Sequence, residues 1–349
     1  MSAETLSIIR PDDWHLHLRD DTALTTTVPH SARVFARAVV MPNLKPPVVT
    51  VADALAYHSR IQAAVPADMH FEPLMTLYLT DNTSKIDVEQ AAADDRIIGI
   101  KYYPAGATTN SESGVTQLSK AYDVIERMQE VGLPLLIHGE TTDPKTDIFD
   151  REAQFINDTL APLQQRFPEL RIVLEHITTS DAVQYVTEHS ANLGATITVH
   201  HLLYNRTDML AGGIKPHYFC MPILKRDTHQ EALIRAATSG NTSFFLGTDS
   251  APHLVATKLS SCGCAGVYSA PAAIELYATV FEAADALDHL EGFSSFNGAD
   301  FYGLPRNTDR ITLQRQEWQM PASFKFEDDV VIPIATSQTL RWKVKGSIG

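Results

Sequence analysis

Cysteine is scarce in this 349-residue chain: Cys220, Cys262 and Cys264 are too few and too clustered for a disulfide framework. Reduced thiols in an intracellular compartment are the expectation. Basic residues are outnumbered, 28 Lys and Arg against 42 Asp and Glu. The formal net charge of −14, with no Lys/Arg-dense stretch to offset it, argues against a nucleic-acid partner. Long apolar runs are missing too. The longest are strand-length, so no segment reads as a membrane span, and Met1 to Arg10 lacks the apolar centre of a signal peptide. A cytoplasmic location is expected. An acidic chain can still take an acidic small molecule, because local cations outweigh distant, screened charge.

What is present describes an ordinary globular protein with a large core, 44% apolar and 20% charged. Short apolar runs recur at Leu6–Ile9, Ala38–Met41, Pro73–Leu79, Ile97–Ile100, Leu135–Ile137, Ile172–Leu174, Ala195–Val199 and Ser243–Leu246. Most lack polar alternation, as strands do when both faces of a parallel sheet are buried. The intervals hold crossover helices: Val51–Ala64 after Thr50 as N-cap, Gln117–Val131 stopped by Gly132 and Pro134, then Phe149–Phe167, Asp181–His189 and Thr228–Ser239. Eight alternations without a composition break predict a single (β/α)₈ TIM barrel over residues 1–349. The rhythm fades after about Asp288, and about 305–349 is read as a short C-terminal extension packed on the barrel.

Active sites in this architecture sit at the C-terminal ends of the strands, so the residues there carry the functional reading. The first end is Asp12-Asp13-Trp14-His15-Leu16-His17-Leu18-Arg19. On an extended strand His15 and His17 share a face, able to converge on one metal ion, and Arg19 continues their parity. Later ends supply Asn43, Lys101, His138, Glu175-His176, His200-His201 and Asp249 to His253. A single histidine after an apolar run is usually a hydrogen-bonded structural residue. Four ends bearing histidine, with a carboxylate, are a coincidence of another order, and imidazole with carboxylate is the donor set of a catalytic zinc. Lys101 leaves three readings open: a salt-bridged structural lysine, a Schiff-base lysine, or a lysine carrying a CO₂-derived carbamate. Only the last makes it an anionic ligand.

Together, His15-x-His17, Lys101, His138, His176 and Asp249 resemble the amidohydrolase superfamily. More narrowly, Met41-Pro42-Asn43-Leu44, Lys101-Tyr102-Tyr103-Pro104-Ala105, Glu175-His176-Ile177-Thr178-Thr179 and Gly247-Thr248-Asp249-Ser250-Ala251-Pro252-His253 are similar to the dihydroorotase family of stand-alone bacterial type. The likeness runs from about residue 6 to about residue 305. It implies two zinc ions per subunit, one on His15, His17 and Asp249, the other on His138 and His176, bridged by carbamylated Lys101. It also implies interconversion of N-carbamoyl-L-aspartate and L-dihydroorotate in pyrimidine synthesis, with a metal-bridging hydroxide attacking the ring amide and Asp249 shuttling the proton. Arg19, Asn43 and His253 are implied to hold the substrate carboxylate, and backbone at Met221 and Ala265 the ring amide. His138 is implied to touch substrate as well. Thr108 and Thr109, in the small-residue stretch Pro104 to Ser111, would close over the ligand. A homodimer is the family's expectation. Only fourteen residues precede His15, too few for the β-sandwich that hydantoinases build from both termini. Another ring amidase, or a catalytically silent barrel, are the rival readings. Cys262-Gly263-Cys264 is taken as loop structure, and His200-His201 as supporting or structural.

Overall fold

The computed structural model describes residues 4–346 except Cys262, so the part of the Cys-Gly-Cys reading that concerns Cys262 lies outside the described residues. Eight parallel strands, β2 (Asp13–Leu16), β3 (Arg37–Val40), β4 (Glu72–Tyr78), β5 (Ile97–Tyr102), β6 (Leu135–His138), β7 (Ile172–Glu175), β8 (Leu193–Ile197) and β9 (Phe244–Leu246), lie side by side in sequence order. The first and last meet where their ends pair: His17 N donates to Ser250 O at 3.0 Å and Asp249 N to His15 O at 2.8 Å. This closes a (β/α)₈ barrel. No helix among the described residues is long and apolar enough to cross a membrane.

Local sequence explains the crossovers. Thr50 and Asp53 form a reciprocal capping box, Asp53 N to Thr50 Oγ1 at 3.1 Å and Thr50 N to Asp53 Oδ2 at 3.0 Å, and the helix Val51–Ala64 starts there. The helix Tyr122–Val131 stops at Gly132, whose φ of +71° costs a residue without Cβ little.

Three sequence expectations need correction. Leu6–Ile9 is not a barrel strand. It falls in β1 (Thr5–Ile9), half-exposed, which pairs antiparallel with β10 (Arg310–Gln319); β10 in turn pairs with β13 (Thr339–Val344). An apolar run cannot by itself tell a barrel strand from an edge strand, and the barrel begins four residues later with Asp13. Both termini therefore do build a small sheet, though of three strands. Second, β8 ends at Ile197, and Val199 opens a short helix, Val199–Leu203, capped by the Thr198 hydroxyl. His200 and His201 ride on that helix rather than on a strand end. Third, β2 ends at Leu16 and Arg19 has φ +61°, so Arg19 arrives by a turn and not by strand parity.

The C-terminal region also does more than coat the barrel. Trp14 packs with Val39, Leu74, Ile98, Leu136, Val173 and Phe245 from six other barrel strands and with Tyr302 from the helix Asn297–Tyr302, stacking on that ring at 4.8 Å. A Cβ on Gly298 would stand 2.0 Å from the Trp14 ring, so only glycine admits the helix this close. The apolar plug fills one end of the barrel. Polar groups are left to the other.

Candidate active site

At the seam between β2 and the turn after β9, three donor atoms meet. His15 Nε2 and His17 Nε2 are 3.4 Å apart, and Asp249 Oδ1 lies 3.3 Å from the first and 3.1 Å from the second. Around a tetrahedral zinc with bonds of about 2.0–2.1 Å, neighbouring ligand atoms sit ~3.4 Å apart, so the trio fits that ion with little rearrangement. His176 and Asp249 adopt positive φ, +44° and +43°, at the ends of their strands. Such backbone is costly for residues with a Cβ and persists where the surroundings hold it.

The surroundings do hold it. Buried Asp13 accepts from Thr248 N at 2.8 Å, Thr248 Oγ1 at 2.6 Å and His15 N at 3.2 Å, tying β2 to the turn that carries Asp249. Gly247 must be small, since a Cβ there would lie 2.7 Å from Thr196 Cβ. Asn43 Oδ1 meets His17 Nδ1 at 2.8 Å and so fixes that ring. His15 Nδ1 faces Glu175 Oε1 at 3.0 Å, close but outside hydrogen-bond alignment.

Across the barrel mouth the His138 and His176 rings are 4.8 Å apart, and His176 lies 4.9 Å from His15. Glu140 Oε2 takes His138 Nε2 at 3.0 Å, and buried His176 Nδ1 has no protein partner. Lys101, fully buried on β5, directs its amine to Glu175 Oε2, with the Tyr103 ring 4.7 Å away. In the unmodified chain the salt-bridged arrangement is thus the one observed for Lys101.

Burial sets the protonation states. It pushes His15 and His138 below the usual imidazole range, His176 well below it and His17 down to about 4. All four are neutral at pH 7, the form that ligates metal. Burial also pushes the Lys101 amine well down, towards the neutral, nucleophilic form. For Asp249 burial acts upward, but hydrogen bonds from His15 and His17 outweigh it and keep the carboxyl ionised.

The cavity above is lined by His17, Arg19, Asn43, Tyr103, Thr108, Thr109, His138, His176, Met221, Asp249, Ala251, Ala265 and Gly266. Most of the residues singled out from the sequence therefore converge. Arg19 is fixed by Nε to Pro252 O at 3.0 Å and by Nη2 against His253 Nε2 at 3.0 Å. His253 stands behind Arg19, outside the cavity wall, with the same Nε2 2.9 Å from Ala265 O. The Thr108–Thr109 loop is down: Asn43 Nδ2 donates to Thr109 O at 3.1 Å and Asn110 Nδ2 to Asn43 O at 3.0 Å. About 20 Å³ remains beneath it, room for a single water, so the loop must lift to admit a ring.

Glu175, Glu140 and Asp13 are site residues that sequence reasoning left without roles. Each stands two positions from a metal-type histidine or beside one, a spacing that could have signalled support for the ring. His200, His201 and Cys220 form a further buried cluster. His201 already spends both nitrogens, on Thr198 Oγ1 at 2.7 Å and Pro222 O at 3.0 Å, and Cys220 Sγ sits 3.3 Å from the same carbonyl. Two of its three donors are thus engaged by protein, while both ring nitrogens of His200 have no protein partner.

Residues 7–316 match the amidohydrolase family. A dihydroorotase of Cupriavidus taiwanensis is 60% identical over 342 residues, covering 98% of this chain and 99% of its own. One of Pseudomonas aeruginosa is also 60% identical over 342 residues, 98% of each chain. The chain belongs to the dihydroorotases of the amidohydrolase family. Among solved dihydroorotases, that of Campylobacter jejuni superposes with a TM-score of 0.90 at 38% identity, over 99% of this chain and 98% of its own. That of Saccharomyces cerevisiae, solved with 5-fluoroorotic acid, gives 0.90 at 33% identity, over 98% and 99%. A hydantoinase of Arthrobacter aurescens, at 13% identity and 0.77, over 98% of this chain and 85% of its own, shares the fold alone.

Proposed function

We propose that this cyclic-amide hydrolase is a two-zinc dihydroorotase, interconverting L-dihydroorotate and N-carbamoyl-L-aspartate on the way to UMP, and that it works in the cytoplasm as a homodimer. The observation that carries the reading is the meeting of His15 Nε2, His17 Nε2 and Asp249 Oδ1 within 3.1–3.4 Å, beside a cavity that Arg19 also lines. His15, His17 and Asp249 would hold one metal and His138 and His176 the other, with Lys101, as its carbamate, shared between them. Bound zinc would supply an activated water and a Lewis acid for the amide carbonyl.

The remaining work belongs to side chains. Asp249, ionised against the pull of burial, accepts a proton from the attacking water and returns it to the ring nitrogen as the amide bond breaks. Arg19, its head fixed by Pro252 and His253, offers a planar cation to the substrate carboxylate and so orients the ring. Asn43 aligns the His17 ring and, once the loop lifts, frees an amide donor for the same carboxylate. Thr108 and Thr109 then close and exclude bulk water. A silent barrel would be expected to have lost ligands, and all six are present here.

The test is purification with zinc retained, metal content by elemental analysis, and hydrolysis of dihydroorotate followed by loss of its ring absorbance. About two zinc per chain with turnover is expected. Less than about one with no turnover would overturn the reading. Sedimentation tests the dimer.

A further inference from the structure

We infer that Lys258 is a positioning residue whose buried amine holds the two loops that present backbone groups to the substrate's ring amide; this rests on the dihydroorotase reading. Lys258 ends the short helix Val255–Lys258 and is only 4% exposed. Its Nζ donates to Phe219 O at 2.8 Å, Cys264 O at 2.9 Å and Gly266 O at 2.8 Å. An ammonium has three N–H donors, and all three are used on main-chain carbonyls. Among the described residues no carboxylate forms an ion pair with it. A methionine would fill the space without the cost of a buried charge, so the amine's contribution is direction: three N–H vectors fix three peptide planes.

The placement of those planes gives the role. Successive carbonyls of an extended segment point to opposite sides. With the carbonyls of Cys264 and Gly266 both turned to Lys258, that of Ala265 faces the other way, where His253 Nε2 lies at 2.9 Å and Thr109 Oγ1 at 3.4 Å. Ala265 and Gly266 line the cavity there. The third carbonyl, Phe219 O, also accepts from Gly266 N at 3.0 Å, and two residues further on Met221 lines the same cavity. Lys258 therefore joins the 219–221 and 264–266 segments at one point, on the side away from the ligand. Gly266 has no room for a side chain, since a Cβ there would lie 2.5 Å from Ala251 O. The amine's partners are all main-chain carbonyls and Lys258 does not line the cavity, so its loss should weaken substrate placement more than chemistry.

Lys258→Met, assayed with its zinc retained, is expected to raise KM for dihydroorotate ~10-fold or more while kcat stays within ~3-fold and metal content is unchanged. Lys258→Arg keeps the charge but replaces a point of convergence by a flat fork, so it should raise KM as well. In Lys258→Arg, hydrogen exchange should rise in peptides covering 219–221 and 264–266, a readout that stands if the methionine variant does not fold. KM within about 2-fold of the parent in the folded variants, or a kcat loss with KM unchanged, would overturn the inference. So would unchanged exchange in both segments. If the parent enzyme fails to turn over dihydroorotate, the activity reading falls while the exchange measurement still tests the clamp.

Discussion

The two halves of the site differ in what the unmodified chain supplies. On the β2–β9 seam, two imidazoles and a carboxylate stand at ligand spacing with nothing added, because the backbone pairing that closes the barrel (Asp249 N to His15 O, His17 N to Ser250 O) also brings those side chains together. On the β6–β7 side, His138 and His176 offer imidazoles, but the carboxylates nearby are committed elsewhere. Glu140 holds His138, and Glu175 is divided between Lys101 and His15. One half is a ligand set that folding completes. The other has no free carboxylate in the unmodified chain, so under the proposed Lys101 carbamate it is the half that depends on chemistry after folding.

Removing the seam's carboxylate is the severest way to probe that difference. Asp249→Asn takes away the proposed anionic ligand and proton carrier together, and kcat should fall by ~10³-fold or more. Turnover within about tenfold of the parent would show that the proton travels by another route. Lys101→Ala should silence the enzyme by a smaller but still large factor, ~10²-fold or more, and leave the seam roughly one zinc per chain. Added short carboxylic acids should restore part of the activity by standing in for the carbamate. Loss of both metals, or no rescue with metal still bound, would erase the proposed contrast between the halves.

Glu175 lies where the halves meet. With Lys101 as an amine it is that amine's counter-ion; opposite a carbamate it would be repelled and left to His15 Nδ1, orienting the ring on the seam. Glu175→Gln is therefore expected to cost ~10–100-fold in zinc affinity or activity, the range for groups that orient a ligand from behind. Unchanged zinc affinity, measured by competition with a chelator, would confine Glu175 to the unmodified state.

How much of this was legible in the sequence follows from the kind of signal each feature leaves. Lys101, His138, His176 and Asp249 follow apolar runs at strand ends, so periodicity pointed to them as candidate ligands. The barrel's first strand was misplaced because Leu6–Ile9 is the more apolar run, while Asp13-Trp14-His15-Leu16 hides its strand under catalytic polarity. Arg19 was placed at the right point by the wrong geometry, a turn rather than parity. Lys258 left no signal at all: its partners are main-chain carbonyls 8 and 39 residues away at the furthest, and carbonyls carry no side-chain identity to read. The plug of Trp14 by Gly298 and Tyr302 was likewise invisible, since it joins the two ends of the chain.

The smallest expected effect concerns acid stability, where Asp13 opposes the buried histidines. Burial lowers His17 to about 4, so between about 6.5 and about 4 the unfolded chain binds a proton that the fold does not, and stability is lost as pH falls through that window. Asp13 works in the opposite direction. Burial raises it to about 7, above its unfolded value near ~3.9, so the fold gains stability as pH falls through 7. Outside the seam burial lowers His30 and His200 to about 4 each, and it lowers His138, His176, His201 and His253 as well. Metal-free protein should therefore lose at least about a few kcal/mol between roughly pH 6.5 and pH 4, through the buried histidines together. His200→Gln removes one of them and should flatten the fall in Tm by a few °C across that range. A slope as steep as the parent's would mean that His200 is protonated in the fold.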